Sequence, residues 1–390
     1  MRAAPELAIE DFCETGSGGT PDRSKPKYYG GSIPWVKSGE LREGTIRDTE
    51  EKITELGLRE SSAKLVARGS ILLAMYGATV GRMAFLGIDA ATNQAVCNIR
   101  PDPKVADARY VFHGLQSKVS HFLSRAVGGA QPNISQGLIR QTKLALPPLD
   151  EQKRIAAILD KADALRHKRK RAVELLDGLT QSIFLEMFGD PVVNPKGLST
   201  KLLIDVAEFS SGGTPSKEIP SYWGGDIPWV SPKDMKVTEI FDAEDHITES
   251  ALSNTSLKAV CPVAVLLVVR GMILAHTAPI AIARRRVTIN QDMKALRFSS
   301  ELDPLFGLWC LKAQHSHILT KVDTAAHGTK RLDMSRVEQL PILVPNTKEQ
   351  QRFVAAAQNV LENRRDMESS RVGAEALFSS LQSCAFSGQL

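Results

Sequence analysis

Cysteine is scarce in this chain, and its cysteines form no pattern. Among the 390 residues there are five, widely spaced and without any Cys-x-x-Cys pair. An odd number of scattered cysteines predicts reduced, mostly buried thiols, with neither disulfides nor a zinc site. This usage favours the cytoplasm as the location. The five are Cys13, Cys97, Cys261, Cys310 and Cys384.

Long apolar runs are missing as well. Residues 1–6 lack the apolar stretch of a secretory signal. The longest apolar run, residues 263–269, is far too short to cross a bilayer. We therefore expect a cytoplasmic protein that is not embedded in a membrane.

The familiar catalytic motifs are also missing. The chain has no Gly-x-x-x-x-Gly-Lys-Ser/Thr phosphate loop, no His-Glu-x-x-His zinc helix and no Asn/Asp-Pro-Pro-Tyr/Phe segment of an adenine methyltransferase. Asp22 with Glu50, Glu51 and Lys52 gives a loose nuclease-like pattern, but the second half of the chain lacks it. The sequence thus predicts no catalytic residue, no metal site and no cofactor in this chain.

Charge is nearly balanced. Lysine and arginine total 49 against 44 acidic residues, so the net charge is +5 and the isoelectric point is near 8.9. Such a mild excess is compatible with a nucleic-acid partner without requiring one.

The chain does contain a long internal repeat. Gly-Gly-Thr-Pro at residues 18–21 recurs at 212–215, and Gly-Gly-x-Ile-Pro-Trp-Val at 30–36 recurs at 224–230. Shorter islands extend the match: Arg-Gly-x-Ile-Leu at 68–72 is aligned with 270–274, and Asn-Gln at 93–94 with 290–291. A shift near 194 residues is far longer than a solenoid period and indicates a duplicated domain.

Each copy has the composition of a mixed α+β domain. Glycine and proline turns flank short apolar segments, and residues 70–74 and 264–269 read as buried strands. Residues 106–124 and 304–320 read as helices. Trp35 and Trp229 lie in apolar strand contexts, which favours a role in the core over stacking on a base.

A long heptad helix is predicted after each copy. Apolar positions recur there at alternating steps of three and four residues, and Asp150 and Thr347 are candidate N-caps. We expect the two helices to pair, and an antiparallel pair would relate the copies by an approximate two-fold axis. The predicted seam is Ile155, Ile158, Ala162, Leu165, Leu176, Leu179 and Ile183, with Phe353, Ala357, Val360, Met367, Ala374, Phe378 and Leu381.

Polar loops supply the candidate binding residues. Arginine and lysine suit phosphates and guanine, whereas asparagine and glutamine suit adenine. Each could equally be an ordinary solvated side chain, and so could the basic run at residues 166–171. The candidates are Lys25, Lys27, Lys37, Tyr76, Thr79, Arg82, Gln131 and Asn133 in the first copy, and Lys233, Lys236, His276, Thr277, Arg284, Arg285, Arg286, Lys330 and Arg331 in the second.

These blocks, in this order, resemble a known family. Together with Leu-Pro-Pro-Leu-x-Glu-Gln-Lys-Arg-Ile at 146–155 and the ending Ala-Phe-Ser-Gly-Gln-Leu at 385–390, they are similar to the specificity subunit of type I restriction-modification enzymes. The resemblance implies target-recognition domains at residues 1–147 and 191–345, each followed by a conserved helix, at 148–190 and 346–390. It also implies an antiparallel coiled coil of the two helices.

The resemblance further implies what the chain binds. Each recognition domain would read one half of a bipartite, asymmetric site in double-stranded DNA, and the helices would set the spacing. Two methyltransferase (M) subunits, with S-adenosylmethionine, would methylate adenine N6, and restriction-translocase (R) subunits would supply the ATP- and Mg-dependent activities. A protein-interaction scaffold and a free-standing nuclease or methyltransferase remain alternative interpretations.

Overall fold

The computed structural model describes residues 4–42, 44–127, 132–324 and 328–390. The chain divides into two compact units. The first unit contains residues 1–170 and 369–390, and the second contains residues 171–368. Each unit therefore combines one copy of the repeat with parts of both long helices.

The first unit is a mixed α+β structure. Its strands are β1 (Glu6–Ala8), β2 (Cys13–Ser17), β3 (Tyr29–Val36), β4 (Thr45–Ile46), β5 (Glu51–Ile53), β6 (Leu65–Val66), β7 (Ile71–Ala74), β8 (Met83–Leu86), β9 (Ala90–Thr92), β10 (Val96–Pro101) and β11 (Lys143–Ala145). Its helices are α1 (Ile9–Phe12), α2 (Glu55–Arg59), α3 (Ala108–Ser117), α4 (Val119–Ser124), α5 (Gln136–Arg140) and the long α6 (Leu149–Phe188), which continues into the second unit.

The second unit repeats most of this order of elements. Its strands are β12 (Thr200–Leu202), β13 (Ala207–Ser211), β14 (Trp223–Val230), β15 (Glu239–Ile240), β16 (Asp245–Ile247), β17 (Val265–Val268), β18 (Ile280–Ala283), β19 (Thr288–Ile289), β20 (Met293–Phe298), β21 (Val322–Thr324), β22 (Lys330–Leu332) and β23 (Pro341–Leu343). Its helices are α7 (Leu203–Val206), α8 (Glu249–Asn254), α9 (Pro304–Ala313), α10 (His315–Leu319), α11 (Met334–Glu338) and α12 (Thr347–Phe386), which also belongs to both units. Its described residues include no counterpart of β6, and it has the strands β21 and β22 between α10 and α11.

A five-stranded sheet forms the centre of each unit. The strand order is β2-β10-β7-β8-β4 in the first and β13-β20-β17-β18-β15 in the second. Both sheets are antiparallel except for the last pair, β8 with β4 and β18 with β15, which is parallel. The mixed α+β class with two tandem domains, predicted from the sequence, is confirmed.

Strands β7, β8, β17 and β18 are apolar throughout, and for β7 both faces of the sheet are covered. Ile71 and Leu73 of β7 join one hydrophobic cluster, whereas Leu72 and Ala74 join another. Successive strand residues point to opposite faces, so a continuous apolar run fits a sheet with a core on each side.

The duplicated Gly-Gly and tryptophan residues belong to this scaffold. Gly30 and Gly224 have φ of +76° and +77°, and a bulge interrupts the pairing of β3 with β5 and of β14 with β16 beside them. Trp35 and Trp229 are 1% and 7% exposed. Their indole Nε1–H groups donate to the carbonyl oxygens of Gly19 (3.0 Å) and Gly213 (2.9 Å), so each ring anchors its Gly-Gly-Thr-Pro loop.

Within each unit the two long helices run antiparallel. In the first unit Arg154 Nη2 donates to the carbonyl oxygen of Leu390 at 3.0 Å, and Arg166 lies 3.1 Å from Glu375. A later residue of α6 thus contacts an earlier residue of α12, which is the order of an antiparallel pair. In the second unit Arg364 pairs with Asp177 and the rings of Phe184 and Phe353 are 5.3 Å apart, again in antiparallel order.

The seam of α6 differs in part from the one predicted. Ile155 and Ala162 are buried, but Leu165 and Leu179 are 38% and 41% exposed, and Ile158, Leu176 and Ile183 are only partly buried. The buried positions between Ile155 and Phe184 are Ala156, Leu159, Ala162, Val173 and Thr180. Several buried positions thus lie one residue after the predicted ones, for example Leu159 after Ile158 and Thr180 after Leu179. The sequence did not reveal this because Ile158 and Leu159 are equally apolar and because Thr180 is polar.

The residues predicted for the seam of α12 are buried or partly buried. Phe353, Ala357, Val360, Ala374 and Phe378 are each at most 9% exposed. Met367 and Leu381 are partly buried.

One island of the repeat was aligned wrongly from the sequence. Residues 68–72 match 262–266, not 270–274, because Ile71 and Val265 both begin the strand that pairs with β10 or β20. The backbone N–H of Gly69 donates to Leu86 O, and that of Val263 donates to Ala283 O. The shift of 194 residues therefore persists to this strand.

The five cysteines differ in burial. Cys13, Cys97 and Cys310 are buried, and burial raises the pKa of each thiol to about 12. Cys261 is exposed and Cys384 is partly buried.

In the described ranges, no helix is both long and apolar enough to traverse a bilayer.

Candidate nucleic-acid interface

Two loops of the first unit meet at one end of the central sheet. The loop after β7 begins at Tyr76, which pairs across an isolated antiparallel bridge with Asn133. The N–H of Gly77 donates to Pro132 O at 3.0 Å, and the N–H of Ile134 donates to Met75 O at 2.8 Å. We call residues 76–82 with 132–133 the first tip.

The second unit has the same backbone arrangement. Arg270 pairs with Arg331 across an isolated bridge. The N–H of Gly271 donates to Lys330 O at 3.0 Å, and the N–H of Leu332 donates to Val269 O at 2.9 Å. We call residues 270–279 with 330–331 the second tip. The first of its two loops is three residues longer than the corresponding loop of the first tip.

The side chains of the two tips differ in chemistry. Tyr76 is 39% exposed and Asn133 is exposed, so the first tip presents a phenol and an amide at the bridge between its two loops. Arg82, at the end of the first loop, is exposed as well. The side chains of Arg270 and Arg331 are 54% and 50% exposed, and each has a carboxylate nearby, Asp292 at 3.9 Å and Asp333 at 3.2 Å. Lys330 Nζ donates to Thr324 Oγ1 of β21 at 2.8 Å. Amide edges suit adenine, whereas guanidinium groups suit guanine and phosphate. Gln131, the other amide predicted for the first tip, lies outside the described residues.

Arg270 was missed in the sequence. It takes the place of Tyr76, one residue before a glycine with positive φ in each unit, Gly77 and Gly271. The repeat shift of 194 residues would have identified it, but the misaligned island hid it. His276 is exposed in the same loop, whereas Thr277 faces inward and donates to His315 Nε2 at 3.1 Å.

The three arginines of residues 284–286 do not belong to the second tip. They follow β18, whereas the tip loop precedes it. Arg284 Nε lies 2.6 Å from Glu239 Oε1, Arg285 donates to Asp226 O at 3.1 Å, and Arg286 pairs with Glu249. Pro279 occupies the place of Arg82. The N–H of Ala74, the last residue of β7, donates to Arg82 O, and the N–H of Val268, the last residue of β17, donates to Pro279 O. Arg82 and these three arginines therefore occupy different places in the two copies.

Lys37 and Lys233 are each held between two carboxylates. Lys37 Nζ lies 3.1 Å from Glu50 and 2.9 Å from Glu51, and Lys233 Nζ lies 2.9 Å from both Glu244 and Asp245. Hydrogen bonds to these carboxylates raise the pKa of both lysines. A lysine with two acidic partners in its own domain is poorly placed to neutralise a phosphate. We interpret this repeated arrangement as scaffold.

The acidic residues of the nuclease-like pattern are also bound by neighbouring side chains of their own domain. Glu51 also pairs with Arg23 at 2.6 Å, and Asp22 accepts hydrogen bonds from Ser24. These hydrogen bonds lower the pKa of both carboxyl groups. Among the described residues, no three histidine, cysteine or acidic side chains are grouped so that they could hold a metal.

Lys25, Lys27 and Lys236 lie outside the two tips, whereas Thr79 and Arg82 belong to the first tip. Lys25 Nζ lies 3.2 Å from Tyr28 Oη, and Lys27 Nζ lies 5.7 Å from the Tyr28 ring centroid, so these two lysines form one cluster. Thr79 Oγ1 donates to Tyr76 O at 3.2 Å within the first tip. Arg82 and Lys236 line cavities in the first and second unit, respectively.

A duplicated scaffold with two chemically different tips defines a two-site recognition protein. The type I restriction modification DNA specificity domain matches residues 6–175 and 195–369, which is most of the chain. The chain therefore belongs to this family, as the sequence predicted. Recognition of DNA sequence by duplicated domains is the function that goes with this membership.

Individual relatives agree with this assignment. The chain is 26% identical over 377 residues to the type I restriction enzyme MjaIX specificity subunit of Methanocaldococcus jannaschii, covering 91% of this chain and 86% of that protein. It is 35% identical over 155 residues to the EcoR124I/EcoR124II specificity subunit of Escherichia coli, covering 40% of this chain and 38% of that protein.

Solved structures share the fold at low sequence identity. The type I restriction-modification S subunit from M. genitalium has a TM-score of 0.61 and 13% identity, covering 98% of this chain and 96% of that one. A chain from a study of complex assembly and conformational transition in a type I R-M system has a TM-score of 0.57 and 18% identity, covering 100% of this chain and 99% of that one.

Proposed function

We propose that this chain is the non-catalytic recognition subunit of a type I restriction-modification complex. Residues 1–147 and 191–345 act as two target-recognition domains, each reading one half of a bipartite, asymmetric DNA site. The helices at residues 148–190 and 346–390 set the spacing between the halves. The observation that carries the proposal is that the backbones of the two tips match while their exposed side chains differ.

Chemistry in this complex belongs to the partners. Two M subunits held by the helices bind S-adenosylmethionine and methylate adenine N6, and R subunits bring ATP- and Mg-dependent translocation and cleavage. The side chains described here support this division, since the acidic and basic groups that could serve a nuclease are paired within their own domain. The cytoplasm, where the DNA and these partners are available, is the proposed location.

An exchange of one domain tests the proposal. N6-methyladenine is mapped in cells that carry the chain with its M subunits, and residues 1–147 are then replaced by the recognition domain of another family member. We expect one half of the methylated motif to change and the other half to stay. An exchange of residues 191–345 is the matched control and should change the other half only. An unchanged motif after both exchanges would contradict the proposal and leave a protein-interaction scaffold as the better interpretation.

A further inference from the structure

A cavity of about 450 Å³ lies in the second unit where the sheet domain meets the two long helices. Its walls come from the turn after β14, the loop before β18, helices α9 and α10, and the parts of α6 and α12 that belong to this unit. The charged and titratable groups that face it are Asp177, Lys236, Lys312, His315 and Arg364. We call this space the Lys312 cavity.

Lys312 is the unusual member of this set. It is partly buried on α9, and its Nζ donates to Thr238 Oγ1 at 2.9 Å and lies 5.1 Å from the ring centroid of Trp309. In the described part of the chain no carboxylate oxygen lies within 4.0 Å of this ammonium group. Burial lowers the pKa of Lys312 to about 8. A buried cation without a carboxylate partner is costly, and an anion in the cavity would offset that cost.

The other groups leave the cavity positive. Asp177, its one carboxylate, is already paired with Arg364. His315 Nε2 accepts hydrogen bonds from Thr277 Oγ1 and from the N–H of Ala278, at 3.1 and 3.2 Å. Lys236 is exposed at the mouth. Two lysines and the Thr238 hydroxyl therefore remain to receive a ligand, and this donor set matches the oxygens of a phosphate group.

We infer that the Lys312 cavity binds a phosphate group, with Lys312 and Lys236 as its cationic contacts. The source is either a backbone phosphate of the bound DNA or free phosphate. For DNA the inference rests on the proposed function and adds to it a phosphate contact by two lysines that are not tip residues, although Ile273, Thr277, Ala278 and Pro279 of the second tip line the cavity. A contact to a backbone phosphate carries no sequence information.

The first unit provides a natural reference. A cavity of about 480 Å³ is lined there by Arg42, Arg82, Gln116, His167 and Lys170, among others. Gln116 lies nine residues after the N-cap Asp107 of α3, as Lys312 lies nine residues after the N-cap Asp303 of α9. Because the same fold already accepts glutamine at this position, Lys312→Gln is a substitution that the second unit should tolerate. Thermal unfolding of the full chain checks that it folds.

The DNA arm of the test measures Kd as a function of salt for the full chain in complex with its M subunits. Three versions are compared, the wild type, Lys312→Gln and Lys258→Gln, on duplexes with and without the methylated motif. Lys258 is an exposed lysine that does not line the cavity. One lost phosphate contact should reduce the slope of log Kd against log salt by about one, so that raising the salt from 50 to 200 mM weakens the wild type about three- to fourfold more than Lys312→Gln. The loss should be equal on both duplexes, and Lys258→Gln should behave like the wild type.

The second arm uses inorganic phosphate without DNA, with chloride at the same ionic strength as control. A rise in Tm with phosphate in the wild type, absent in Lys312→Gln, indicates a site for free phosphate. A changed salt slope without that rise indicates a backbone phosphate. If Lys312→Gln alters neither measurement, the inference is overturned. Failure of the wild type to prefer the motif would instead contradict the proposed function, and the phosphate arm would still decide the cavity.

Discussion

Gly69 and Val263 occupy the same backbone position in the two units, in the turn two residues before the central strand β7 or β17 begins. Both have positive φ, 86° for Gly69 and 66° for Val263. Their N–H groups donate to the strand opposite, to Leu86 O at 2.6 Å and to Ala283 O at 2.8 Å. A β-branched residue in this left-handed region is strained, whereas glycine is not.

Val263→Gly should therefore stabilise the second unit. The valine is 49% exposed, so little buried surface is lost, and relief of the strain should outweigh the greater freedom of glycine in the unfolded chain. We expect a gain of about 0.5–1 kcal/mol, the strain of about 1–2 kcal/mol less the cost of glycine, measured as a higher urea midpoint of the unfolding transition. The matched variant Gly69→Val should lose about 1–2 kcal/mol in the first unit. A lower midpoint for Val263→Gly would show that the valine is not strained.

The phase of the α6 seam can be tested with two leucines. Leu159 is fully buried, whereas Leu165 is 38% exposed. Leu159→Ala should cost about 2–4 kcal/mol of unfolding free energy because it removes buried methyl groups and leaves a cavity. Leu165→Ala should cost less than about 1 kcal/mol. Equal losses would restore the seam predicted from the heptad spacing.

The features that could be predicted from the sequence are those that repeat with unchanged side chains. Trp35 and Trp229 marked the duplicated scaffold because an indole that packs in the core and bonds to a loop carbonyl tolerates little change. The α6 seam could not be placed in the same way, since Ile158 and Leu159 are equally apolar and only packing distinguishes them. Arg270 was missed because the island at residues 270–274 was aligned with residues 68–72, which hid that Arg270 takes the place of Tyr76.

Arg331 and Asn133 should affect different halves of the recognised site. If Arg331 contacts a base, Arg331→Ala should weaken binding by about 1–3 kcal/mol and relax the base preference in the half read by the second domain. Asn133→Ala should do the same in the other half. The measurement is the methylated motif in cells, together with Kd for duplexes that vary at single positions. Lys217→Ala, an exposed lysine of the second unit outside the tip, is the control. Both halves changing after either substitution would argue against separate reading by the two tips.

The buried ammonium group of Lys312 should also make stability depend on pH. Its pKa falls from 10.5 to about 8 because burial disfavours the charged form. Below pH 8 the lysine is protonated in both the folded and the unfolded chain, and the folded state bears the full cost of the buried charge. Between pH 8 and 10.5 the folded chain releases this proton while the unfolded chain keeps it, so the contribution to the free energy of unfolding rises with pH.

Lys312→Met should therefore be more stable than the wild type at pH 7, by up to about 3 kcal/mol, and this advantage should shrink as the pH rises towards 10.5. The measurement is urea unfolding of both proteins in phosphate-free buffer from pH 7 to 10, because a bound phosphate would stabilise the charged lysine. Lys258→Met controls for the general titration of exposed lysines and should keep a constant difference from the wild type. If the stability difference between Lys312→Met and the wild type does not change with pH, the ammonium group is hydrated in the folded chain. Only a desolvated lysine releases its proton below its ordinary pKa.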